Sequence, residues 1–359
     1  MHNDEHTLNS AAFAICGHSG SGKTTLIEQL LPRLLREGIS VAVLKHGSHD
    51  IDIDRPGKDS YRLFSAGATV LLHGRCETAL RTRTLADEQL PHALDMLHLH
   101  HDLVLVEGHK HTPLPKVWLL GEGESAPPSD VPGIMRVLPM NSARLDCAAG
   151  LVREWVSAAW LRTPVYGCVL VGGKSSRMGR PKHLIAERGM TWLEHAVHAL
   201  EEVAERVVIV GAGDVPEPLR NTLRLPDAPD AQGPMAGVLS AMRWAPRASW
   251  LVVPCDAPRL TAESLRWLLA ARRHGVWAIT PRLAENTPAE PLLAYYDFRA
   301  ISAIEAAVAR GELSMRRALP CGKTLLPIPP LGLSDEWANV NTAGELRLHR
   351  ETAYERSRR

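Results

Sequence analysis

Two patterns of apolar residues follow one another along the chain, and together they predict parallel sheets covered by helices. Short continuous apolar runs are typical of strands that are buried on both faces. In the first part of the chain these runs are Phe13–Cys16, Val41–Leu44, Thr69–Leu72, Leu103–Val106 and Val117–Leu120. Leucines and an isoleucine recur at helical spacing from Leu26 to Leu35, and Gly38 supplies a stop, with Pro32 expected to kink this helix or bend its end.

The same layout restarts after a predicted helix over Ala143 to Leu161, which Thr163-Pro164 ends. The predicted strands of the second part are Val165–Val171, Val207–Val210, Trp250–Val253, Val276–Thr280 and Leu292–Tyr295, with helices over Trp192–Val203 and Leu265–Ala271. We therefore predict two α/β domains, residues 1–163 and 164–359. The chain length of 359 residues agrees with two domains of roughly 150 residues or more.

Composition narrows the classes of partner. A formal charge of +1 provides no global basic field, so we expect neither nucleic acid nor a membrane surface as a partner. No apolar run reaches the ~18 residues of a spanning helix and the N-terminus is polar, which predicts a cytoplasmic protein. The six cysteines form no C-x-x-C pair, which indicates neither a disulfide framework nor a structural zinc site.

The first motif with chemical meaning is Gly17-His18-Ser19-Gly20-Ser21-Gly22-Lys23-Thr24, which matches G-x-x-x-x-G-K-[ST] between a predicted strand and helix. Such a loop points backbone N–H groups at a phosphate, and the following helix adds the positive end of its dipole. Its lysine would neutralise β- and γ-phosphate charge, and its threonine hydroxyl would bind Mg²⁺. The residues expected to bind the nucleotide are Gly17, Gly20, Gly22, Lys23, Thr24 and Thr25. The first domain is therefore predicted to have a P-loop NTPase-like sheet.

Carboxylates that could complete this site follow the predicted strands. Glu107 ends the Leu103–Val106 run, where it could hold a metal-bound water. Asp52, Asp54 and Asp59 form a second acidic group, which could reach the metal or be solvated. No arginine finger is evident, so we expect slow hydrolysis of any bound nucleotide.

Three strings extend the P-loop into a resemblance. GHSGSGKTTLIEQLLPRL, VAVLKHGSHDIDIDRPGKDSYRLFSAGA and DLVLVEGHKHTPLPKV, over residues 12 to 120, are similar to the molybdopterin-guanine dinucleotide biosynthesis adaptor family, MobB. Trp118 departs from the family pattern, which has an acidic residue there. The resemblance implies GTP as the ligand. A homodimer through the N-terminal half is a possible assembly, but the sequence does not determine the oligomeric state.

The second motif begins where the strand Val165–Val171 ends. The loop from Gly172 to Lys182 contains three glycines and four cations, a composition that can wrap a triphosphate, although a solvated surface loop remains an alternative. Asp256 follows the run Trp250–Val253 and is expected at the carboxyl edge of the sheet, as a Mg²⁺ ligand or as a turn or cap residue. Pro234 fits the first turn of a helix.

The second half of the chain also carries a resemblance. GCVLVGGKSSRMGRPKHLI, DAQGPMAGVLSAM, WLVVPCDAPRL and WANVNTAGEL look like molybdenum cofactor guanylyltransferase, MobA, over residues 165 to about 348. The family transfers GMP from GTP to molybdopterin, releases pyrophosphate and uses Mg²⁺, which implies a Rossmann-like nucleotidyltransferase domain. The implied GTP ligands are Leu170, Gly172, Gly173, Lys182 and Asp227. Asp256 would hold Mg²⁺, Lys182 and Arg177 would stabilise pyrophosphate, and Asn339 and Asn341 would lie on the pterin side.

The sequence leaves two further questions open. Pro181 and the turn Gly211-Ala212-Gly213 depart from the family pattern, the latter because an asparagine is missing, so CTP or a sugar-phosphate substrate remains an alternative for the second site. The N-terminal half could be a GTP switch or carrier module. Molybdoenzymes or other cofactor-biosynthesis proteins are the expected partners.

Overall fold

The computed structural model describes residues 11–45, 54–82, 89–172, 181–187, 189–337, 340, 342 and 344–347. The chain divides into two compact units, Met1–Val156 and Ser157–Arg359. The predicted boundary between residues 163 and 164 stays a prediction.

The first unit contains a parallel sheet with helices. Its elements are β1 (Ala12–Cys16), α1 (Lys23–Arg36), β2 (Val41–Lys45), α2 (Asp59–Ser65), β3 (Val70–His73), β4 (Thr78–Arg81), α3 (Gln89–His98), β5 (Leu103–Glu107), β6 (Lys116–Leu119), β7 (Ile134–Leu138) and α4 (Arg144–Leu161), which continues into the second unit. Within the described ranges, five strands form the parallel sheet in the order β2-β5-β1-β6-β7. The α/β fold class predicted from the sequence is thereby confirmed.

Alternate residues of β1 pack into two different cores, as the pleat of a central strand requires. Phe13 and Ile15 lie among residues of α1 and α4, whereas Ala14 and Cys16 lie among residues that include Leu94 of α3. Helix α1 runs through Pro32 and ends before Gly38, whose φ of 80° closes the helix. Both faces of the central strands β1 and β5 are therefore covered, which explains their continuous apolar runs.

Two strand predictions were wrong in their environment. The run Val41–Leu44 was expected to be buried on both faces, but β2 is an edge strand and Val43 is 41% exposed. The run Thr69–Leu72 was expected to be a strand buried on both faces, but β3 pairs only with β4 in an antiparallel hairpin outside the parallel sheet of the described unit. Leu71 and Leu72 are 62% and 42% exposed. An apolar run predicts a strand, but its burial depends on which strand pairs with it.

The second unit is built on a mixed sheet. Its elements are β8 (Val165–Leu170), a 3₁₀ turn (Lys182–Leu184), β9 (Ala186–Glu187), β10 (Met190–Thr191), α5 (Trp192–Glu201), β11 (Arg206–Val210), β12 (Leu223–Leu225), α6 (Pro234–Trp244), β13 (Ser249–Pro254), α7 (Ala262–Ala270), β14 (Ala278–Ile279), β15 (Ala294–Tyr296), α8 (Ile301–Ala309), β16 (Thr324–Leu325) and α9 (Leu331–Ser334). Among the described residues, seven of these strands are ordered β12-β11-β8-β13-β15-β14-β16, and β15 runs antiparallel to its neighbours.

Strand β8 lies at the centre of this sheet, between β11 and β13, and all three run in parallel. Their carboxyl ends therefore meet at one edge, and the strand order reverses at β8, which is where open α/β sheets bind ligands. All six cysteines are unpaired thiols. Over the part of the chain that the structure describes, no helix is both long and apolar enough to cross a membrane.

Candidate functional site

The loop between β1 and α1 is shaped by its glycines. A Cβ atom at Gly17 would lie 2.4 Å from Ser21 Oγ and 2.6 Å from Leu119 O, so only glycine fits this close approach. Gly20 and Gly22 have φ angles of 78° and 85°, in the left-handed region that favours glycine. Gly22 occupies the N-cap of α1 and has no side chain to bind the first N–H groups of the helix. These N–H groups are the donors that a phosphate requires.

Lys23 folds back over this loop. Its Nζ donates to Gly17 O at 3.1 Å and to His18 O at 2.7 Å. The ammonium group therefore lies above the backbone curl, close to where the phosphate chain of a nucleotide would lie. Thr25, the last of the predicted loop ligands, is exposed at the start of α1.

The predicted metal ligands Thr24 and Glu107 are in direct contact. Thr24 Oγ1 donates to Glu107 Oε1 at 2.8 Å, and Lys45 Nζ lies 3.6 Å from the same oxygen. A hydroxyl and a carboxylate are oxygen ligands of the kind that Mg²⁺ prefers, so this pair fits the ion. In the ranges described, no group of three or more His, Cys, Asp or Glu side chains is arranged to hold a metal. Mg²⁺ needs no such group, since it commonly takes one or two protein oxygens together with phosphates and water.

Two members of the second acidic group, Asp54 and Asp59, have other partners. Asp54 accepts hydrogen bonds from Arg81 Nη1 at 2.9 Å and from Ser60 Oγ at 2.9 Å, which ties it to the β3–β4 hairpin. Asp59 is almost fully exposed and lies 3.7 Å from Arg62. Asp52 lies outside the described residues.

Arg144 joins the P-loop to the ends of two strands, and sequence reasoning missed it. Its Nη1 donates to Ser21 O at 2.9 Å, and its Nη2 donates to Leu120 O at 2.7 Å and Leu138 O at 3.1 Å. Its Nε donates to Pro139 O at 2.8 Å. Desolvation lowers the pKa of the guanidinium. The sequence shows only that an arginine lies at the start of a predicted helix. Nothing in the surrounding pattern indicates that it binds four backbone carbonyls.

Trp118 stands where the adaptor family has an acidic residue, and in the structure a carboxylate lies beside its indole. Its Nε1 donates to Glu124 Oε1 at 2.8 Å, and His18 of the P-loop stacks edge-on against the indole at 5.4 Å. Glu124 also accepts from Gly121 N at 2.8 Å, a hydrogen bond that lowers the pKa of the carboxyl, and lies 3.5 Å from His18 Nε2. A carboxylate from the 121–133 loop therefore lies against the P-loop, where the sequence indicated that one had been lost.

In the second unit, the predicted catalytic pair Lys182 and Asp256 is in contact. Lys182 Nζ donates to Asp256 Oδ2 at 2.8 Å, and both side chains are largely buried. Leu170 at the end of β8 pairs with Pro254 at the end of β13, and Cys255 N donates to Leu170 O. The glycine loop and Asp256 therefore leave the sheet side by side. Gly173 and Arg177 of this loop lie outside the described residues.

Asp227 lies on the β8 side of the same edge. An added Cβ at Gly237, in α6, would lie 3.4 Å from Asp227 Oδ1 and 2.6 Å from Leu170 Cδ2. Asp227 and Leu170 thus face the same turn of α6, whose first residue is the predicted Pro234. Burial raises the pKa of Asp227, so its ionised form is poorly solvated and would gain from a ligand that donates hydrogen bonds.

Two glycines of the turn that lacks the family asparagine lie close to neighbouring groups. A Cβ at Gly211 would lie 1.9 Å from Val171 O, so the backbone directly after β8 leaves no room for a side chain at Gly211. Gly213 makes space for the ring of His183, which directly follows Lys182. Burial lowers the pKa of His183, so the imidazole is neutral near pH 7.

The segment that holds the predicted pterin-side asparagines adjoins Asp256. Val340 N donates to Asp256 O at 2.9 Å. Asn339 and Asn341, on either side of Val340, lie outside the described residues.

Comparison with known proteins connects both units to one process. Residues 12–135 match the family described as Molybdopterin guanine dinucleotide synthesis protein B, and residues 167–323 match the MobA-like NTP transferase domain. The chain is 36% identical over 162 residues to the Molybdopterin-guanine dinucleotide biosynthesis adapter protein of Escherichia coli, covering 40% of this chain and 91% of that protein. It is 31% identical over 186 residues to a Probable molybdenum cofactor guanylyltransferase of Bacillus cereus, covering 50% of this chain and 92% of that protein.

Among solved structures, molybdopterin-guanine dinucleotide biosynthesis protein A from Archaeoglobus fulgidus is similar at 23% identity and a TM-score of 0.44, covering 53% of this chain and 99% of that one. The high coverage of both curated relatives shows that each half of this chain corresponds to nearly a whole protein. The chain therefore belongs to the MobB family in its N-terminal part and to the MobA-like NTP transferase family in its C-terminal part.

Proposed function

We propose that the C-terminal unit is a molybdenum cofactor guanylyltransferase, which transfers GMP from GTP to molybdopterin and releases pyrophosphate. The observation that carries the proposal is the Lys182–Asp256 pair, held at 2.8 Å where β8 and β13 end side by side. A cation and a carboxylate in contact at this edge can each bind one part of a metal-bound triphosphate. Membership of the MobA-like family supplies the reaction class.

In the proposed reaction, an oxygen of the terminal phosphate of molybdopterin attacks the α-phosphorus of GTP. The new P–O bond forms as the bond from the α-phosphorus to the β-phosphate oxygen breaks, and that electron pair leaves with pyrophosphate. The attacking phosphate is already anionic at neutral pH, so no general base is needed. Bound Mg²⁺ would neutralise charge on the triphosphate.

The residues of this chain bind and position the reactants. Asp256 would hold the metal with a carboxylate oxygen, which requires its contact with Lys182 to loosen when GTP binds. Lys182, with Arg177, would then stabilise the charge that develops on pyrophosphate. Leu170, Gly172 and Gly173 would lie along the nucleotide. Asp227 would accept hydrogen bonds from it, consistent with the raised pKa of a carboxyl short of donors.

We infer that the N-terminal unit binds GTP as an adaptor for the same pathway. The curled loop, Lys23 and the Thr24–Glu107 pair supply the donors and oxygen ligands that Mg·GTP needs. Among the described residues around Thr24 and Glu107, no arginine is placed as a finger, so the proposal includes slow hydrolysis, as in a switch or carrier. A homodimer through this unit, delivery to molybdoenzymes and a cytoplasmic location stay predictions.

The test is to incubate the full chain with Mg²⁺, molybdopterin and each of GTP, CTP, ATP and UTP in turn, and to identify the dinucleotide by mass spectrometry. We expect the guanine dinucleotide and pyrophosphate with GTP. A cytosine dinucleotide as the main product would reject the assignment of guanine as the base. No dinucleotide with any nucleotide would reject the reaction itself.

A further inference from the structure

Asp256 lies at the carboxyl edge of the second sheet, with strands β8 and β11 to one side of it and β15 and β14 to the other. GTP is assigned to the β8 and β11 side, where Leu170 and Asp227 lie. On the other side of β13 come β15 and then β14. Because β13 and β14 are both antiparallel to β15, the carboxyl end of β14 lies at the same edge as Asp256. The acceptor in a transfer across the metal would therefore lie over β15 and β14.

Polar groups are gathered at this position. Thr280 directly follows β14, is fully buried, and its Oγ1 has no hydrogen-bond partner among the described residues. Arg282 Nε is also buried without a partner in the described part of the chain. Buried polar groups are usually paired, so each unpaired donor requires an explanation, of which an absent ligand is one.

Glu290 precedes β15 and is held against the same segment. Its N donates to Pro281 O at 2.9 Å, and its carboxylate lies 3.7 Å from Arg316 Nη2. Arg316 is itself fixed by a hydrogen bond from Nε to Ala289 O at 2.7 Å. The carboxyl of Glu290 is 30% exposed, and burial raises its pKa. Glu290 is thus a partly exposed carboxylate with few hydrogen-bond donors around it, next to the segment that follows β14.

The spacing of the strands fits the acceptor. Neighbouring strands are about 4.8 Å apart, so β13 and β14 are separated by roughly 10 Å. This separation matches the reach of molybdopterin from its terminal phosphate, which must approach the metal, to the pyrimidine ring at the far end of its fused ring system.

We propose that Glu290, supported by Arg316 and Thr280, binds the 2-amino-4-oxopyrimidine edge of the pterin and so selects the acceptor of the transfer. This inference rests on the proposed guanylyltransferase function. The N3–H and exocyclic amine of a pterin are two parallel donors, which a carboxylate accepts with both oxygens. Guanine presents the same edge, so the same carboxylate could instead bind GTP, and the experiment must separate the two.

The first experiment compares Glu290→Gln with Glu285→Gln, a matched control that removes an exposed carboxylate from the same loop. Steady-state kinetics with the full chain should show the KM for molybdopterin raised about tenfold or more in Glu290→Gln, with kcat and the KM for GTP unchanged. Glu285→Gln should match the wild type. A raised KM for GTP in place of molybdopterin, or no change in either, would overturn the inference. Absence of transfer in the wild type would instead reject the proposed function.

A binding measurement separates recognition from catalysis. Pterin should bind the wild type at least tenfold more tightly than lumazine, which has an oxygen in place of the exocyclic amine, as measured by quenching of pteridine fluorescence. Glu290→Gln should remove this difference. Equal binding of the two pteridines by the wild type would contradict the proposed contact.

Thr280→Val tests the buried hydroxyl with a change of similar shape. If the hydroxyl binds the acceptor, the variant should raise the KM for molybdopterin severalfold and leave the melting temperature equal or higher, because an unpaired polar atom is removed from the interior. An unchanged KM would show that Thr280 has no part in acceptor binding.

Discussion

Replacing Arg144 with alanine should destabilise the P-loop far more than its partial exposure suggests. Its guanidinium donates four hydrogen bonds to backbone carbonyls at 2.7 to 3.1 Å. A hydrogen bond from a charged donor contributes about 1.5–3 kcal/mol when buried, and we take about 1 kcal/mol each because water can reach part of this side chain. The variant should therefore lose about 4 kcal/mol of local stability. Part of this destabilisation should affect the nucleotide-binding loop, because Ser21 O would lose its hydrogen bond from Arg144.

Arg153→Ala is the matched control, since Arg153 lies on the same helix. Arg153 has an ionic partner, because its Nε and Nη2 donate to the carboxylate of Glu37 at 2.6 to 3.0 Å. Both side chains are substantially exposed, and exposed ion pairs contribute only about 0.2–1 kcal/mol. A comparison of charged partners alone would predict a larger loss of stability for Arg153→Ala than for Arg144→Ala. Burial and hydrogen bonding predict the opposite order.

Hydrogen exchange followed by mass spectrometry measures the effect locally, because the two units need not unfold together. Amides of β1 and the first turns of α1 should exchange at least roughly a hundredfold faster in Arg144→Ala than in the wild type, since about 4 kcal/mol at about 1.4 kcal/mol per factor of ten sets the upper limit near a thousandfold. The same peptides in Arg153→Ala should change less than about tenfold. Peptides of β13 should serve as an unaffected reference. If the two variants exchange alike, the claim that Arg144 ties the loop to β6 and β7 is wrong.

Three further changes test the assigned sites. Asp256→Ala should abolish pyrophosphate release while the N-terminal unit still binds GTP; transfer that persists would refute the metal assignment. Lys23→Ala should reduce the GTP stoichiometry seen by calorimetry from two sites to one, and an unchanged stoichiometry would count against the P-loop. Asp227→Asn should raise the melting temperature at pH 7 and weaken GTP binding. Burial raises the folded-state pKa of Asp227, so the stability that its neutral form provides is lost as pH rises through that value. The difference in melting temperature between Asp227→Asn and the wild type should disappear as the pH falls to about 4. A difference that persists at that pH would show that ionisation of Asp227 is not its cause.

The elements that sequence reasoning predicted well are those whose pattern is local. The buried strands β1, β5 and β13 read as continuous apolar runs because both of their faces are covered. The backbone conformation of the P-loop depends on glycines that lie within eight consecutive residues, so it could be predicted from the sequence alone. The position of Asp256 at the carboxyl edge, close to the start of the glycine loop, was predicted from the rule that open α/β sheets bind ligands at this edge.

What the sequence could not provide depends on pairing between distant segments. The Val70–His73 run is as apolar as its neighbours, but its partner is β4, so its leucines face solvent. Arg144 meets carbonyls from three places in the chain, and only the packed sheet brings them together. Glu124 fills the place beside Trp118 because a loop of irregular conformation turns back on the P-loop, which no periodicity encodes.

The two nucleotide sites differ in how their cations are neutralised, and this difference bears on what each can do. Around the first loop, Lys23 donates to two backbone carbonyls and has no carboxylate partner among the described residues, so its charge remains available to an anion. In the proposed second site Lys182 is bound to Asp256, and it would have to exchange partners when a metal-bound triphosphate binds. A preformed positive loop favours tight binding of GTP in its ground state. A cation released only when the substrate and metal bind can act on the charge that develops during transfer, which is where catalysis is gained. The partners that the fold gives to Lys23 and Lys182 are therefore consistent with the proposed binding in the first unit and the proposed chemistry in the second.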